Sequence, residues 1–188
     1  MNELYGLSTI SRVAATMILF GTTAVAGGCG ADDMEVARGS SRSDVTVIAG
    51  GGTTPTAAVH PLTGEAYVAW IQSDENGLYN VFLASAKPGA STFSAPTRVN
   101  DIPGDAAPHE QAPPQVAIGP EGEIYVVWQN NTIVDGRRFP ASDLRLAVST
   151  DGGATFSPAI TVNDDAGERP TSHTFHNIAV APDGTVLV

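Results

Sequence analysis

The sequence predicts an all-β protein, and composition and internal repetition are the observations behind this prediction. The 188 residues include 20 glycines and 13 prolines, which interrupt the chain far too often for a bundle of long helices. Hydrophobic residues make up 42% of the chain, which is enough to build a core. Similar stretches also recur about 60 residues apart, a spacing typical of repeat architectures.

Two sequence patterns recur along the chain. The first is a Pro/Gly turn followed by a strand with Tyr and Trp three residues apart; it occurs at residues 60–70 and 119–128 and begins again at residues 181–188. The second runs from a phenylalanine to an Asn-Asp pair, at residues 93–101 and 156–164. Because residues three apart in a strand point to opposite faces, we expect the Tyr/Trp strand to be covered on both sides.

Within one unit the sequence predicts four short strands separated by turn-rich segments. In the second unit these strands are residues 115–118, 124–129, 144–149 and 159–162. Four strands per unit is the architecture of a β-propeller blade. A solenoid with the same repeat length is the alternative, but the turn-separated meander favours the propeller.

The predicted propeller is incomplete. Residues 45–101 form one blade, residues 102–164 form a second, and residues 165–188 form only the start of a third, about two and a third blades in all. Propellers close with at least four blades. We therefore expect this sequence to be a fragment of a longer protein.

Charge and cysteine content exclude several kinds of function. Lys and Arg total 9 and Asp and Glu total 20, and the formal net charge of −11 repels a phosphate backbone, so we expect no nucleic-acid partner. The single cysteine, Cys29, excludes an intrachain disulfide and a cysteine-based zinc site. We expect no cofactor.

Residues 1–44 are predicted to lie outside the folded domain. Residues 13–26 form an apolar run shorter than the roughly 20 residues that span a bilayer, and they are typical of the signal peptide predicted for residues 1–28. The small residues before Cys29 resemble the lipobox of bacterial lipoproteins, which implies lipidation of Cys29 and a lipid-anchored protein of the cell envelope. Residues 29–44 have the composition of a flexible tether. The alternative is an ordinary secretory signal and a secreted or periplasmic protein.

Residues 149–156 resemble the Asp-box, or bacterial neuraminidase (BNR) repeat, written Ser-x-Asp-x-Gly-x-Thr-Trp/Phe. The matching positions are Ser149, Asp151, Gly153, Thr155 and Phe156. We predict structural roles for them, because in a tight hairpin an Asp carboxylate accepts bonds from turn amides and Gly adopts positive φ. Residues 85–93 are interpreted as a degenerate copy with one extra residue and no Asp. The resemblance implies that residues 45–188 belong to a sialidase-like β-propeller.

The sialidase resemblance implies a central site with three arginines, a Tyr–Glu nucleophile pair and an Asp acid/base. The first arginine of that family stands on the first strand of a blade, but residues 112–116 contain no arginine. The only Arg-x-Pro sequence, residues 138–140, falls between the second and third strands of its unit. Asp135 lies in the same loop and is the candidate catalytic acid/base. The alternative is an Asp-Gly turn in a solvated loop.

Histidines precede the first strand of two units. His109 lies ahead of this strand in the second unit, and His173 and His176 lie ahead of it in the third. In a propeller these segments approach the central axis, so the three imidazoles, with Glu110, are candidate ligands for a divalent metal. The alternative is a set of hydrogen-bonded surface residues, since the spacing matches no metal signature. Ser/His/Asp catalysis has no support, because no Gly-x-Ser-x-Gly sequence is present.

Two functions follow from these patterns. The resemblance implies a parent protein that is an exo-α-sialidase-type glycoside hydrolase acting on surface glycans, with its remaining site residues on blades beyond this sequence. The alternative is a non-catalytic cell-surface propeller that binds glycans or proteins through its axial loops, which the missing arginine favours. In both cases we expect a glycan or glycoconjugate partner, and we expect residues 1–188 alone not to cleave sialosides.

Overall fold

Ten β-strands and no helix make up the described part of the chain, which confirms the all-β prediction. The structure is a computed structural model that describes residues 47–165 and 170–188. The predicted signal peptide, Cys29 and the predicted tether therefore lie outside the described residues. All ten strands belong to one compact region, Ile48–Val188.

The first sheet is a four-stranded antiparallel meander. Its strands are β1 (Thr53–Val59), β2 (Ala66–Ser73), β3 (Tyr79–Ala86) and β4 (Thr97–Arg98), in the order β1-β2-β3-β4. Glycines with positive φ, Gly64 and Gly77, lie in the short turns that join the first three strands. Every residue of β2 from Tyr67 to Ile71 is buried, which confirms that this strand is covered on both sides.

The second sheet repeats this arrangement. Its strands are β5 (Gln115–Ile118), β6 (Ile124–Gln129), β7 (Leu144–Ser149) and β8 (Ile160–Thr161), in the order β5-β6-β7-β8. The first three coincide with the predicted strands, and the fourth is shorter than the predicted residues 159–162 because only Ile160 and Thr161 pair with β7. The hairpin of β9 (Ala179–Val180) and β10 (Val186–Leu187) follows.

The first strands of the three units lie next to one another. Strand β1 packs against β5, and β5 packs against β9. The other strands of each four-stranded sheet follow in sequence order away from this row. The described residues form three separate sheets and not one closed structure.

A hydrophobic core fills the space between the two four-stranded sheets. It combines Tyr67, Ala69, Ile71, Val81 and Leu83 of the first sheet with Ile124, Val126, Trp128 and Ala147 of the second. Tyr67 and Trp128 share this core although they occupy different positions in the repeat, because the front of one sheet packs on the back of the next. Trp70 lies on the opposite face of the first sheet, stacked on Phe82 with ring centroids 6.0 Å apart.

The connections between strands alternate between two ends of the sheets, because each sheet is an antiparallel meander. One end, called the linker end below, carries residues 74–78, 99–114, 130–143, 162–165 and 170–178. The opposite end, called the turn end, carries residues 60–65, 87–96, 119–123 and 150–159. At the linker end, Asn130 Nδ2 donates to Asp105 Oδ1 over 3.0 Å and so joins two connections.

Candidate functional site

Side chains that bind turn amides hold the Asp-box hairpin between β7 and β8. Ser149 Oγ donates to Asp151 Oδ1 over 2.8 Å and accepts from the Gly153 amide over 2.9 Å. Asp151 also accepts from the Thr155 amide at Oδ1 (2.9 Å) and from the Thr155 hydroxyl at Oδ2 (2.6 Å). Phe156 packs against the core. These five residues therefore close a hairpin at the turn end of the second sheet.

The hairpin keeps the carboxylate of Asp151 ionised. The hydroxyl of Thr155 is the largest cause, followed by the Thr155 amide and the Ser149 hydroxyl, and these bonds lower the pKa of Asp151 from 3.8 to about 2. A carboxylate with this pKa has no proton to exchange near neutral pH. Its bonds lie within its own hairpin, which fits a structural role.

The degenerate copy in the first sheet has a different register from the one expected. The Ser94 amide donates to the Ser85 carbonyl over 2.7 Å, as the Ser157 amide donates to the Val148 carbonyl over 2.8 Å. Ser85 is therefore equivalent to Val148 and not to Ser149. The copy begins one residue later than expected, and the expectation of an extra residue is wrong because it aligned two serines that the strand pairing does not align.

In the corrected register the two hairpins have equal length but different chemistry. Pro88 stands where the second hairpin has Asp151, and Ala90 stands where it has Gly153. Gly153 is buried with φ +87, and a Cβ added there would lie 2.8 Å from Leu83 Cδ2. The second hairpin therefore packs on the first sheet, whereas Ala90 is exposed.

The repeated asparagine of the second sequence pattern has a role that the sequence analysis missed. Asn100 Oδ1 accepts from the Val81 amide over 2.8 Å, and Asn163 Oδ1 accepts from the Leu144 amide over 2.9 Å. Each asparagine thereby ties the end of the outermost strand to the start of the third strand, at the linker end. Its recurrence at equivalent positions was the available signal.

An ion pair joins the linker between the two sheets to β7. Arg145 Nε lies 2.9 Å from Asp105 Oδ2, and the two side chains are only 16% and 13% exposed. The Asp105 carbonyl also accepts from Trp128 Nε1 over 2.5 Å. No sequence spacing indicates this pair, because its partners lie 40 residues apart. Arg145 is therefore already paired and is not free to bind an anionic ligand.

The structure places Asp135 in an exposed turn of the 130–143 connection. The Arg137 amide donates to the Val134 carbonyl over 3.1 Å, and Gly136 has φ +77, so the Asp-Gly pair forms the middle of a tight turn. This is the geometry of the solvated-turn alternative. The catalytic acid/base role of Asp135 stays a prediction.

The histidines of the metal hypothesis all lie at the linker end, with different neighbours. His173 Nε2 lies 2.8 Å from Asp165 Oδ1. His109 packs edge-on against Phe175, with ring centroids 6.1 Å apart. Within the described part of the chain, no group of three or more His, Cys, Asp or Glu side chains is arranged to hold a metal ion. The metal site of His109, His173 and His176 therefore rests on the sequence alone.

Buried polar groups without hydrogen-bond partners occur at the linker end. In the described residues, five side chains carry such an atom: Thr54, His109, Gln129, Thr174 and His176. These linker-end polar residues come from all three units. His109, Thr174 and His176 lie in linker segments. Gln129 ends β6 and Thr54 is the second residue of β1, at the same end of the sheets. Because buried polar atoms are normally hydrogen-bonded, these exceptions mark groups whose bonds are completed by ordered water or by a ligand.

Gln129, at the end of β6, is the clearest case. Gln129 is only 5% exposed to solvent. Its Nε2 donates to Asn131 Oδ1 over 3.2 Å, whereas Oε1 has no partner among the described residues. A buried acceptor left unpaired costs about 1–3 kcal/mol. A hydroxyl of ordered water or of a ligand that reaches this oxygen would recover that free energy.

Two linker-end segments also carry backbone strain. Thr54 has φ 51 and Phe175 has φ 60, and in the residues that the structure describes no other non-glycine residue has positive φ. Each lies five residues before the last residue of the first strand of its unit, Val59 or Val180. Strain of this kind costs about 1–3 kcal/mol and is concentrated at functional sites. Thr54 is itself one of the linker-end polar residues, and Phe175 lies between two others, Thr174 and His176.

Burial favours the uncharged form of His176. This burial lowers its pKa below the ordinary 6.5. The nearby backbone groups of Val127 and Pro113, which do not reach hydrogen-bond geometry with either ring nitrogen, oppose the shift more weakly. A neutral imidazole offers one donor and one acceptor nitrogen. The unpartnered groups at the linker end are therefore hydroxyls, a primary amide and imidazole nitrogens.

No protein-family model matches the chain, and no curated protein matches it either. Among the described residues there is also no helix with the length and apolar character needed to cross a membrane.

Proposed function

We propose that the described residues are two blades and the start of a third blade of a sialidase-like β-propeller. Three observations support this proposal. The two four-stranded meanders have the same strand order, and their first strands lie in one row with β9. The side-chain bonds of Asp151 close the third-to-fourth-strand hairpin, where the Asp-box resemblance expects them.

The function that the geometry supports best is the binding of glycans at the linker end, without cleavage. The linker-end polar residues carry this proposal, because buried groups without partners gain most from a ligand that supplies them. Sugar hydroxyls both donate and accept, so they complement amide, hydroxyl and imidazole groups.

The positions of the described arginines support binding over catalysis. These arginines are Arg98, Arg137, Arg138 and Arg145. Arg145 is paired with Asp105, and Arg98 lies on β4 at the outer edge of the first sheet. Among the described residues, none stands on β1, β5 or β9, which are the strands nearest the axis in the proposed propeller.

NMR titration of the isotope-labelled full chain with lactose and with sialyllactose tests this function. We expect saturable shifts at the amides of Gln129, Thr174 and His176. Gln129→Leu and Thr174→Val remove hydrogen-bonding groups at similar size, and each should weaken binding by about tenfold.

Asp151→Asn, at the turn end, is the matched control and should bind like the wild type. If neither sugar shifts the linker-end amides, or if both linker-end variants bind normally, glycan binding at this end is wrong.

A second candidate is the exo-α-sialidase-type hydrolase, which the Asp-box geometry favours through the sialidase resemblance. We expect the 188-residue chain to leave a fluorogenic sialic-acid glycoside intact, because the described residues supply no arginine clamp. Turnover that survives repurification and is lost in Asp135→Asn would contradict this and would assign the acid/base role to Asp135.

We also propose that the protein is exported and held at the cell envelope by lipid on Cys29. The sequence before this cysteine supports the proposal. Cys29→Ala should move the protein from the membrane fraction to the soluble fraction. If both forms fractionate alike, the lipid anchor is wrong.

A further inference from the structure

A pocket of about 420 Å³ opens at the outer edge of the first sheet, beside β4. The first strand, β1, forms the opposite edge of this sheet. Its lining includes Asp74, Asn80, Phe82, Arg98, Asp101 and Phe156. The volume falls within the roughly 300–1,000 Å³ of small-molecule sites. Asp74 and Asp101 lie in linker segments, but none of the lining residues is one of the five residues with unpartnered buried atoms. Since Phe156 closes the Asp-box hairpin, both four-stranded sheets contribute to this edge pocket.

Aromatic side chains form the apolar part of the edge pocket. Phe82 is stacked on the buried Trp70 with an interplanar angle of 25°, which fixes the orientation of its ring. Arg98 pairs directly with Phe82 across β3 and β4, so both side chains lie on the same face of the sheet. Phe156 packs against the core between the sheets. The pocket therefore has rigid apolar walls next to a cationic group.

The polar groups of the edge pocket keep unused hydrogen-bonding capacity. Asp74 Oδ1 accepts from the Asn76 and Leu78 amides, each over 2.9 Å, which fixes the carboxylate while Oδ2 has no such bond. Asp101 Oδ1 accepts from the Ala159 amide over 3.2 Å. The guanidinium of Arg98 makes no hydrogen bond or ion pair with another described residue. Two anchored acceptors and one free donor group thus face a common space.

We propose that the edge pocket binds one uncharged saccharide residue. An anionic ligand would meet the carboxylates of Asp74 and Asp101, and a cationic ligand would meet the guanidinium of Arg98. A neutral sugar avoids both penalties, because its hydroxyls donate to the carboxylates and accept from Arg98. Its apolar C–H face can then lie against Phe82. This site does not depend on the proposed function of the linker end.

The test is an NMR titration of the full chain with the methyl glycosides of glucose, galactose, mannose and N-acetylglucosamine. We expect at least one of them to shift the amides of Arg98 and Asp101, with saturation at a Kd of about 1 mM. Arg98→Gln removes the guanidinium, and Asp74→Asn keeps the Oδ1 acceptor while removing the charge. Each should weaken binding by about tenfold.

Arg138→Gln, in the exposed 130–143 connection, is the matched control and should leave the affinity unchanged. The proposal is overturned if no sugar of the panel produces saturable shifts at the pocket, or if both pocket variants bind normally. Tighter binding of N-acetylneuraminic acid or glucosamine than of the neutral glycosides at these amides would also overturn it. Shifts confined to Gln129 and Thr174 would support the linker-end function and contradict the edge pocket.

Discussion

The two four-stranded sheets share one strand order, yet their outer hairpins are built from different side chains. Both hairpins use the same closure: the Ser85 amide donates to Ser94 Oγ over 3.0 Å, and the Val148 amide donates to Ser157 Oγ over 3.1 Å. The second hairpin adds the bonds of Asp151, where the first has Pro88. Strand register and one serine therefore close the first hairpin without an Asp-box carboxylate.

The neighbour of each hairpin explains the difference. Gly153 is buried against Leu83 of the first sheet, whereas the equivalent Ala90 is exposed. A hairpin that packs on another sheet must follow one backbone path, and side-chain bonds to its amides hold that path. The Asp-box of the second sheet therefore serves the contact between sheets as well as its own turn.

The largest effect should come from the asparagine that both sheets share. Asn100 is buried and bonds to the Val81 amide, the Asn80 side chain and the Ile102 carbonyl, whereas Asn163 is half-buried. Asn100→Ala should lower the free energy of unfolding by about 3 kcal/mol and Asn163→Ala by about 1 kcal/mol, because buried groups lose their partners without water to replace them. Urea unfolding measures both. Equal losses would show that the two positions do not differ in burial as described.

A smaller effect should separate the two glycines of the second hairpin. Gly153→Ala forces a Cβ to 2.8 Å from Leu83 at positive φ, whereas Gly152→Ala has the same strain with nothing within 4 Å. We expect losses of about 2–3 kcal/mol for Gly153→Ala and about 1–2 kcal/mol for Gly152→Ala. Thermal unfolding of the two variants compares them. If Gly152→Ala is as destabilising as Gly153→Ala, the hairpin does not pack closely on the first sheet.

The smallest effect concerns pH. The folded pKa of Asp151, about 2, lies below its ordinary value of 3.8, so its ionised form contributes stability above about pH 4 that is lost as pH falls through about 2. The melting temperature of the wild type should therefore exceed that of Asp151→Asn above this window, and the difference should vanish below it.

Thr155→Val sharpens the same test, because the Thr155 hydroxyl is the largest cause of the low pKa of Asp151. Carboxyl NMR should find a higher pKa for Asp151 in this variant. An unchanged pKa would contradict the bond between the two side chains.

Much of the secondary structure could be predicted from the sequence, because its signals are local. Alternating apolar residues between Pro/Gly turns located β5, β6 and β7. The Asp-box was recognisable for the same reason: its bonds run between Ser149, Asp151 and Thr155, a few residues apart. The predicted alignment of Ser85 with Ser149 was wrong, because the register of a strand depends on its pairing and not on one matching residue.

The sequence by itself determined an all-β chain of repeated four-stranded units, since turn residues and hydrophobic alternation act within each unit. Only the tertiary structure decided which faces meet. It brought Tyr67 and Trp128 into one core, paired Arg145 with Asp105, and set Leu83 against Gly153. It also decided where polar groups such as Gln129 lose contact with solvent. The physical reason is that these partners lie far apart in the chain, so their contacts depend on how one sheet stacks on the next.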